Sequence, residues 1–434
     1  MRVLWLSHFI PYPPRGGNVQ RSFNLIRQAA KSFEVSLVAL NVQGASSGQV
    51  AEYKEALGSY CDEVEIWDPP YPWKGPRWHA ELVRSAASRV PFTCRPLYSK
   101  RLRHRWEEIL ARHSGSLVHV DAIDLALYAQ SANGFRKVLN HHNCESQLLQ
   151  RRAERETNPL KRKYLLLEAQ KLARWERDLS ARFDVNIVVC EEDRQRLLAL
   201  NPNAHIHVVE NGVDTDYFRP MDVPEEPHSV IFTGSLDWQP NISAIRFFVR
   251  DVWPLVKRDC PDAKLFIAGK SPAGSVLRLS ENDSSITVFP NPEDMRPLLA
   301  RASVYICPLL EGGGTRLKIL DAMAMGKPIV STSVGCEGLR VSSGEHLFVA
   351  DTPSSFSVRV SRLLMERSCG ERFGRAARNL VEGQYEWAQI GGRIYSAYRC
   401  AEQLGTSSGG SEWATAPGPL APRSSRIHCG EVHS

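Results

Sequence analysis

The sequence predicts an α/β protein built from two doubly wound, Rossmann-like domains. Three observations carry this. The chain has 434 residues, more than one ordinary hydrophobic core organises. Short unbroken apolar runs alternate with helix-like segments, as parallel strands buried on both faces do. Each half opens with strand, glycine-bearing loop and helix: RVLWLS runs towards Gly16-Gly17, and VIFTGS ends on Gly234-Ser235 before a helix-like stretch.

Composition narrows the functional classes. Hydrophobic residues at 43% and charged residues at 24% are globular values. A formal charge of +6 suits anionic ligands or an anionic surface and makes no case for nucleic acid. The ten cysteines are scattered singly without a CxxC pair, so the expectation is reduced, buried thiols, no metal site and a cytoplasmic location. The apolar run after Met1 is too short for a signal peptide core, and no stretch of about twenty apolar residues is present to cross a bilayer.

In chain order, the first strand leads through the loop PYPPRGGNVQ to a helix from about Arg21 to Lys31 and a strand over Phe33 to Leu40. Beyond residue 59, Trp67, Trp73, Trp78 and Trp106 lie among arginines, which reads either as sugar- and phosphate-binding surface or as packing. Strands at Leu117 to Val120 and Lys137 to Asn140 follow, the second leading into HHNCES, where a histidine past a parallel strand end is placed for chemistry. Residues 150 to 182 read as one basic amphipathic helix or two broken at Asn158-Pro159, either solvated or in peripheral contact with an anionic membrane. After strands at 185–190 and 206–209, Asn211-Gly212 is a turn before a proline-rich acidic linker. Domains are therefore expected at 1–219 and 220–384, with a returning helix at 385–404. The Ser, Gly, Pro and Ala-rich tail at 405–434 is expected to be disordered.

The densest signal is YICPLLEGGGTRLKILDAMAMGKPIVSTSVGCEGL, from Tyr305 to Leu339: strand, glycine loop, helix, strand. Consecutive glycines before a helix let backbone N–H groups approach an anion, and the helix start adds its positive dipole end. Arg316 and Lys318 add full charges in the same turn, and Asp321 follows where a carboxylate can accept bonds from sugar hydroxyls. Read alone, the same residues also fit a glycine-rich turn with a solvated Arg, Lys and Asp.

That segment resembles the donor site of family 4 retaining glycosyltransferases (glycosyltransferase group 1) of the GT-B fold, of the bacterial polysaccharide-assembly type. The resemblance implies transfer of a sugar from a nucleoside diphosphate sugar to a glycan or lipid-linked acceptor, without metal or other cofactor, at the inner face of the plasma membrane. It implies catalytic roles for His142, Arg316 and Lys318. It implies donor-binding roles for Gly16, Gly17, Gly234, Ser235, Asn291, Gly313, Gly314, Thr315 and Asp321. His142-Asn143 matches the family's pair near the donor sugar better than His141 does, and Asp321 stands for its ribose-binding acid.

The chain departs from the family in two places. Gly313 occupies the position of the first family acid, with Glu311 two residues away. Ser235 and Pro240 stand where the family carries an Arg and a Lys for the diphosphate, so Arg316 and Lys318 are expected to replace them. Two further readings follow from these losses: a nucleotide-sugar epimerase of the same fold, and a non-catalytic scaffold that binds nucleotide sugar.

Overall fold

The computed structural model describes residues 1–14, 16–70 and 76–404. Trp73 and the 405–434 tail lie outside the described residues, as does the side chain of Trp78.

Two wholly parallel sheets form the molecule. The first has strands β1 (Arg2–Ser7), β2 (Glu34–Leu40), β3 (Glu63–Trp67), β4 (Leu117–Asp121), β5 (Arg136–Asn140), β6 (Val185–Val188) and β7 (Ile206–Val208). Their spatial order is β3-β2-β1-β4-β5-β6-β7. The second has β8 (Glu226–Ser235), β9 (Lys264–Lys270), β10 (Ile286–Pro290), β11 (Ala302–Cys307), β12 (Ile329–Ser331) and β13 (Phe348–Val349), ordered β10-β9-β8-β11-β12-β13. In both sheets the order reverses beside the first strand, between β1 and β4 and between β8 and β11. Those reversals open crevices at the carboxyl ends of the strands, where doubly wound sheets bind ligands. The expected two-domain α/β architecture is therefore the one observed.

The unbroken apolar runs are strands because both faces are covered. Val3 to Leu6 are all at most 1% exposed, with Val3 and Trp5 in one helix layer and Leu4 and Leu6 in the other. β3 is an element the sequence reading passed over: its EVEIW alternates and is only half-buried, as befits an edge strand. Of the tryptophans, Trp106 is wholly buried and Trp67 donates to Glu65 at 3.0 Å, so these two pack rather than offer binding surface.

The basic segment is two helices, Glu145–Arg155 and Pro159–Ser180. Asn158 caps the second, its Oδ1 accepting from the N–H groups of Leu160 and Lys161. This second helix has a buried polar seam as well as leucines: Glu168 accepts from Ser85 Oγ and Lys171 Nζ at 3.0 and 2.6 Å, and so holds the 85–92 segment. Leu160, by contrast, is 79% exposed at the helix start. No helix among the described residues is long and apolar enough to cross a membrane.

The chain passes between the sheets at Asn211-Gly212. A Cβ on Gly212 would lie 2.7 Å from the Trp387 ring and 2.9 Å from the Tyr385 carbonyl, so only glycine fits. Val213 N–H then donates to Tyr385 O at 2.7 Å. The helix Trp387–Leu404 starts here and runs back against the helix Gly17–Ala29, where Tyr398 Oη meets His119 Nδ1 at 2.9 Å.

Candidate active site

At the crevice of the first sheet the organising group is Asp121, the last residue of β4, wholly buried. It accepts from Ser22 Oγ at 2.5 Å and Asn140 Nδ2 at 2.6 Å. His142 Nε2 lies 3.1 Å from its Oδ1, though among the described residues neither ring nitrogen of His142 makes an aligned hydrogen bond. Burial alone would raise this carboxyl; His142 and His119 outweigh it and hold Asp121 well below the usual carboxylate range. The adjacent histidines thus part ways. His141 turns into the protein, with Nε2 3.1 Å from Asn186 Oδ1 and its pKa pushed down to about 4 by burial. His142 faces the crevice beside His8, ring centroids 6.3 Å apart. Gly16 caps and Gly17 begins the first helix, which starts four residues earlier than the periodicity suggested, so both glycines belong to a helix N-terminus.

At the second crevice Gly234 and Ser235 end β8, and the helix Leu317–Ala324 begins just past the glycine loop. The two basic groups of that loop take different directions. Lys318 crosses to the Gly234 turn: its Nζ bonds Asn241 Oδ1 at 2.8 Å and sits 4.3 Å over the Phe232 ring. Burial lowers its pKa to about 8. Arg316 folds back on its own loop, its Nη1 donating to the Gly313 and Gly314 carbonyls, and its Nε and Nη2 are buried without a partner. Among the described residues neither cation has an ion pair. Two cations largely out of water, without an ion pair and beside a helix start, are an arrangement suited to an anion.

Asp321 sits one turn beyond Lys318, beside Gln20 of the first helix, with Oδ1 buried and unpartnered. Burial raises its pKa to about 7. Asn291, just past β10, has φ of 50°; its Oδ1 accepts from Ser271 N–H at 2.8 Å and its own N–H donates to Gly269 O at 2.8 Å.

The halves close on one another at the glycine loop. Gly314 has φ of 65°, and a Cβ there would lie 2.5 Å from Asn143 Oδ1 and 3.0 Å from His142 O. Thr315 Oγ1 accepts from Asn211 Nδ2 at 2.6 Å. From Asn211 a buried chain runs back through Arg21, whose Nη1 donates to Asn211 Oδ1 and whose Nη2 donates to Asn140 Oδ1, each at 3.0 Å, and so to Asp121. Thus His142, Gly17, Gly313, Gly314, Thr315, Arg316, Lys318, Asp321 and the Gly234-Ser235 turn come together, while Asn291 stands at the outer edge of the row.

Asp121, Arg21 and Asn241 were not singled out in the sequence. Asp121 ends an apolar strand, the same signal that pointed to His142, and could have been found by it. Arg21 and Asn241 gave no such signal, since each sits on a helix among residues of ordinary type.

The profile described as "Glycosyltransferase Family 4" matches residues 15–217, and that described as "Glycosyl transferases group 1" matches residues 227–366. A 44.6 kDa protein in the cps region of Klebsiella pneumoniae is 27% identical over 174 residues, covering 38% of this chain and 45% of its own length. Alpha-maltose-1-phosphate synthase of Mycobacterium tuberculosis is 24% identical over 230 residues, covering 46% and 58%. The matched region thus spans about half the length of these curated relatives. Among solved structures, sucrose-phosphate synthase from Thermosynechococcus elongatus superposes with a TM-score of 0.68 at 15% identity, covering 94% of this chain and all of that one. HepE of Anabaena, in complex with UDP and glucose, superposes with a TM-score of 0.64 at 12% identity, covering 92% and 99%.

Proposed function

This chain belongs to the family 4, group 1 glycosyltransferases with the GT-B fold, and from that premise we propose that it transfers a sugar from a nucleoside diphosphate sugar to an acceptor hydroxyl with retention at the anomeric carbon. The observation that carries the reading is the pair Arg316 and Lys318: one cation buried and one half-buried on either side of the helix start at Leu317, neither with an ion pair among the described residues. A nucleoside diphosphate supplies the charge they lack. As the sugar leaves, negative charge grows on the terminal phosphate, and fixed cations with a helix dipole stabilise it without reorganisation.

Under this reading Asp321 receives the ribose hydroxyls and Asn291 borders the base through its backbone. Gly234, Ser235, Gly313, Gly314 and Thr315 give the donor backbone contacts and room. Gly16 and Gly17 present the N-terminus of the first helix from the acceptor side. His142, oriented by Asp121, faces the sugar. Retention without a protein nucleophile fits front-face attack, with the leaving phosphate assisting deprotonation of the acceptor. The diphosphate is compensated by Arg316 and Lys318, which supports a metal-independent reaction.

The relative from a cps region supports a glycan or lipid-linked acceptor in polysaccharide assembly. The basic flank around the exposed Leu160 supports peripheral contact with an anionic inner membrane face. The experiment is turnover of a panel of UDP-, GDP- and ADP-sugars, with product anomers read by proton NMR. Release of the diphosphate with an α-linked product from an α-donor is expected. Nucleotide binding without transfer or donor hydrolysis would instead identify a binding scaffold, and sugar inversion within the donor an epimerase.

A further inference from the structure

Resting on the reading that the Gly234 turn receives the donor diphosphate, we infer that Asn241 is a positioning residue. It carries Lys318 across from the glycine loop to stand in for the cation missing at Ser235 and Pro240. A lysine ammonium on a flexible four-carbon stem ordinarily swings into water, and holding it in one place costs side-chain entropy. Here it is held from two sides, with room left for it on a third. Asn241 Oδ1 accepts from Nζ at 2.8 Å, the Phe232 ring lies 4.3 Å below, and Gly234 leaves the space open. A Cβ on Gly234 would lie 3.0 Å from Nζ and 2.8 Å from Asn241 Nδ2.

Asn241 is itself fixed. It is 2% exposed, its Nδ2 donates to Ser235 O at 2.7 Å, and its backbone N–H donates to Trp238 O at 3.0 Å. The amide can sit only one way round, because the flipped orientation would set its NH2 against the ammonium and its oxygen against a carbonyl. The residue type matters as much as the position. An aspartate would hold the lysine equally well but would neutralise it. An asparagine orients the ammonium, takes one of its three protons, and leaves the charge and two protons for an anion. The sequence thus loses two cations from one loop and restores one through a neutral side chain at the start of the helix Gln239–Phe247.

The test uses the full chain and titrates UDP by calorimetry, with GDP and ADP alongside, for wild type, Lys318→Ala, Asn241→Ala, their double variant and Asn241→Asp, with melting curves for each. Lys318→Ala is expected to weaken nucleotide binding at least tenfold and Asn241→Ala by a similar factor. The double variant should be no weaker than Lys318→Ala, since both single changes delete one contact. Asn241→Asp, close in shape and so able to carry the test if the alanine variant unfolds, should bind as poorly. It should also move upward, by one pH unit or more, the pH above which binding fades. Wild-type affinity in Asn241→Ala, or losses that multiply in the double variant, would overturn the inference while leaving the placement of the diphosphate standing. Unchanged binding in Lys318→Ala would overturn that placement and this inference with it.

Discussion

Arg151 and Glu337 tie the two domains together: Arg151 Nη1 and Nη2 lie 2.5 and 2.8 Å from the two carboxylate oxygens of Glu337. Arg196 adds a third bond to the same carboxylate at 2.6 Å, and Arg151 Nη1 also donates to the Gly312 carbonyl at 3.0 Å. A carboxylate just past one wall of the donor crevice is therefore gripped by two arginines of the other domain, and one of them also holds the glycine loop. Burial opposes ionisation of Glu337, but the two arginines prevail and lower its pKa.

Glu337→Gln keeps the shape and removes the charge of this tie. A partly buried pair of this kind is worth about 1 to 2 kcal/mol once solvent screening is allowed for. We expect kcat/KM to fall roughly tenfold, and the radius of gyration in small-angle scattering to rise. The sign with pH follows from the lowered pKa: the tie stabilises above the unfolded carboxyl value and is lost as pH falls through the folded one. The difference between wild type and variant should therefore shrink in acid. Equal rates and equal radii at neutral pH would show that the tie does not hold the domains.

The two adjacent histidines should separate by phenotype. His142→Ala is expected to lower turnover by a hundredfold or more, the usual scale for a group acting at the reacting centre, with little change in melting temperature or nucleotide affinity. His141→Ala should lower the melting temperature, because it leaves Asn186 Oδ1 without its buried partner, with a smaller effect on turnover per folded molecule. Equal effects on turnover would place neither ring at the sugar.

Asp321 gives a prediction in which stability and function move in opposite directions. Its folded pKa of about 7 stands above its unfolded value of 3.8, so the folded state binds the extra proton between them. Stability therefore falls as pH rises through that window. Asp321→Asn should raise the melting temperature, by a margin that grows from pH 4 to pH 7 and then levels off. The same variant should lose nucleotide affinity, and a deoxyribose analogue should lose little further in it, since both changes remove one contact. A variant with unchanged stability, or fully additive losses, would place Asp321 away from the ribose.

Much of this was legible in the sequence for physical reasons. Parallel strands covered on both faces write themselves as unbroken apolar runs, so β1, β2, β4, β5, β6 and β8 were readable, while the half-buried edge strand β3 was not. The glycine loop was readable because positive φ at Gly312 and Gly314, with close approach at both, favours one residue type there. His142 was readable from its place past a strand end. Two things were not: that Lys318 leaves its own loop for the Gly234 turn, and that Asp121, Arg21 and Asn211 link His142 to Thr315. Both depend on contacts between residues 19 to 190 positions apart, which local pattern does not encode.

The central claim, that the glycine loop is an anion site for a nucleoside diphosphate, is tested most directly at Arg316. Its Nε and Nη2 have no hydrogen-bond partner among the described residues, so Arg316→Ala removes the group proposed to meet the diphosphate. Titration of UDP, GDP and ADP into wild type and variant is the measurement. A charge-assisted bond of about 2 kcal/mol predicts that whichever nucleotide binds wild type binds Arg316→Ala roughly thirtyfold more weakly, with activity falling in step. Equal affinity of the two proteins for that nucleotide would contradict the account.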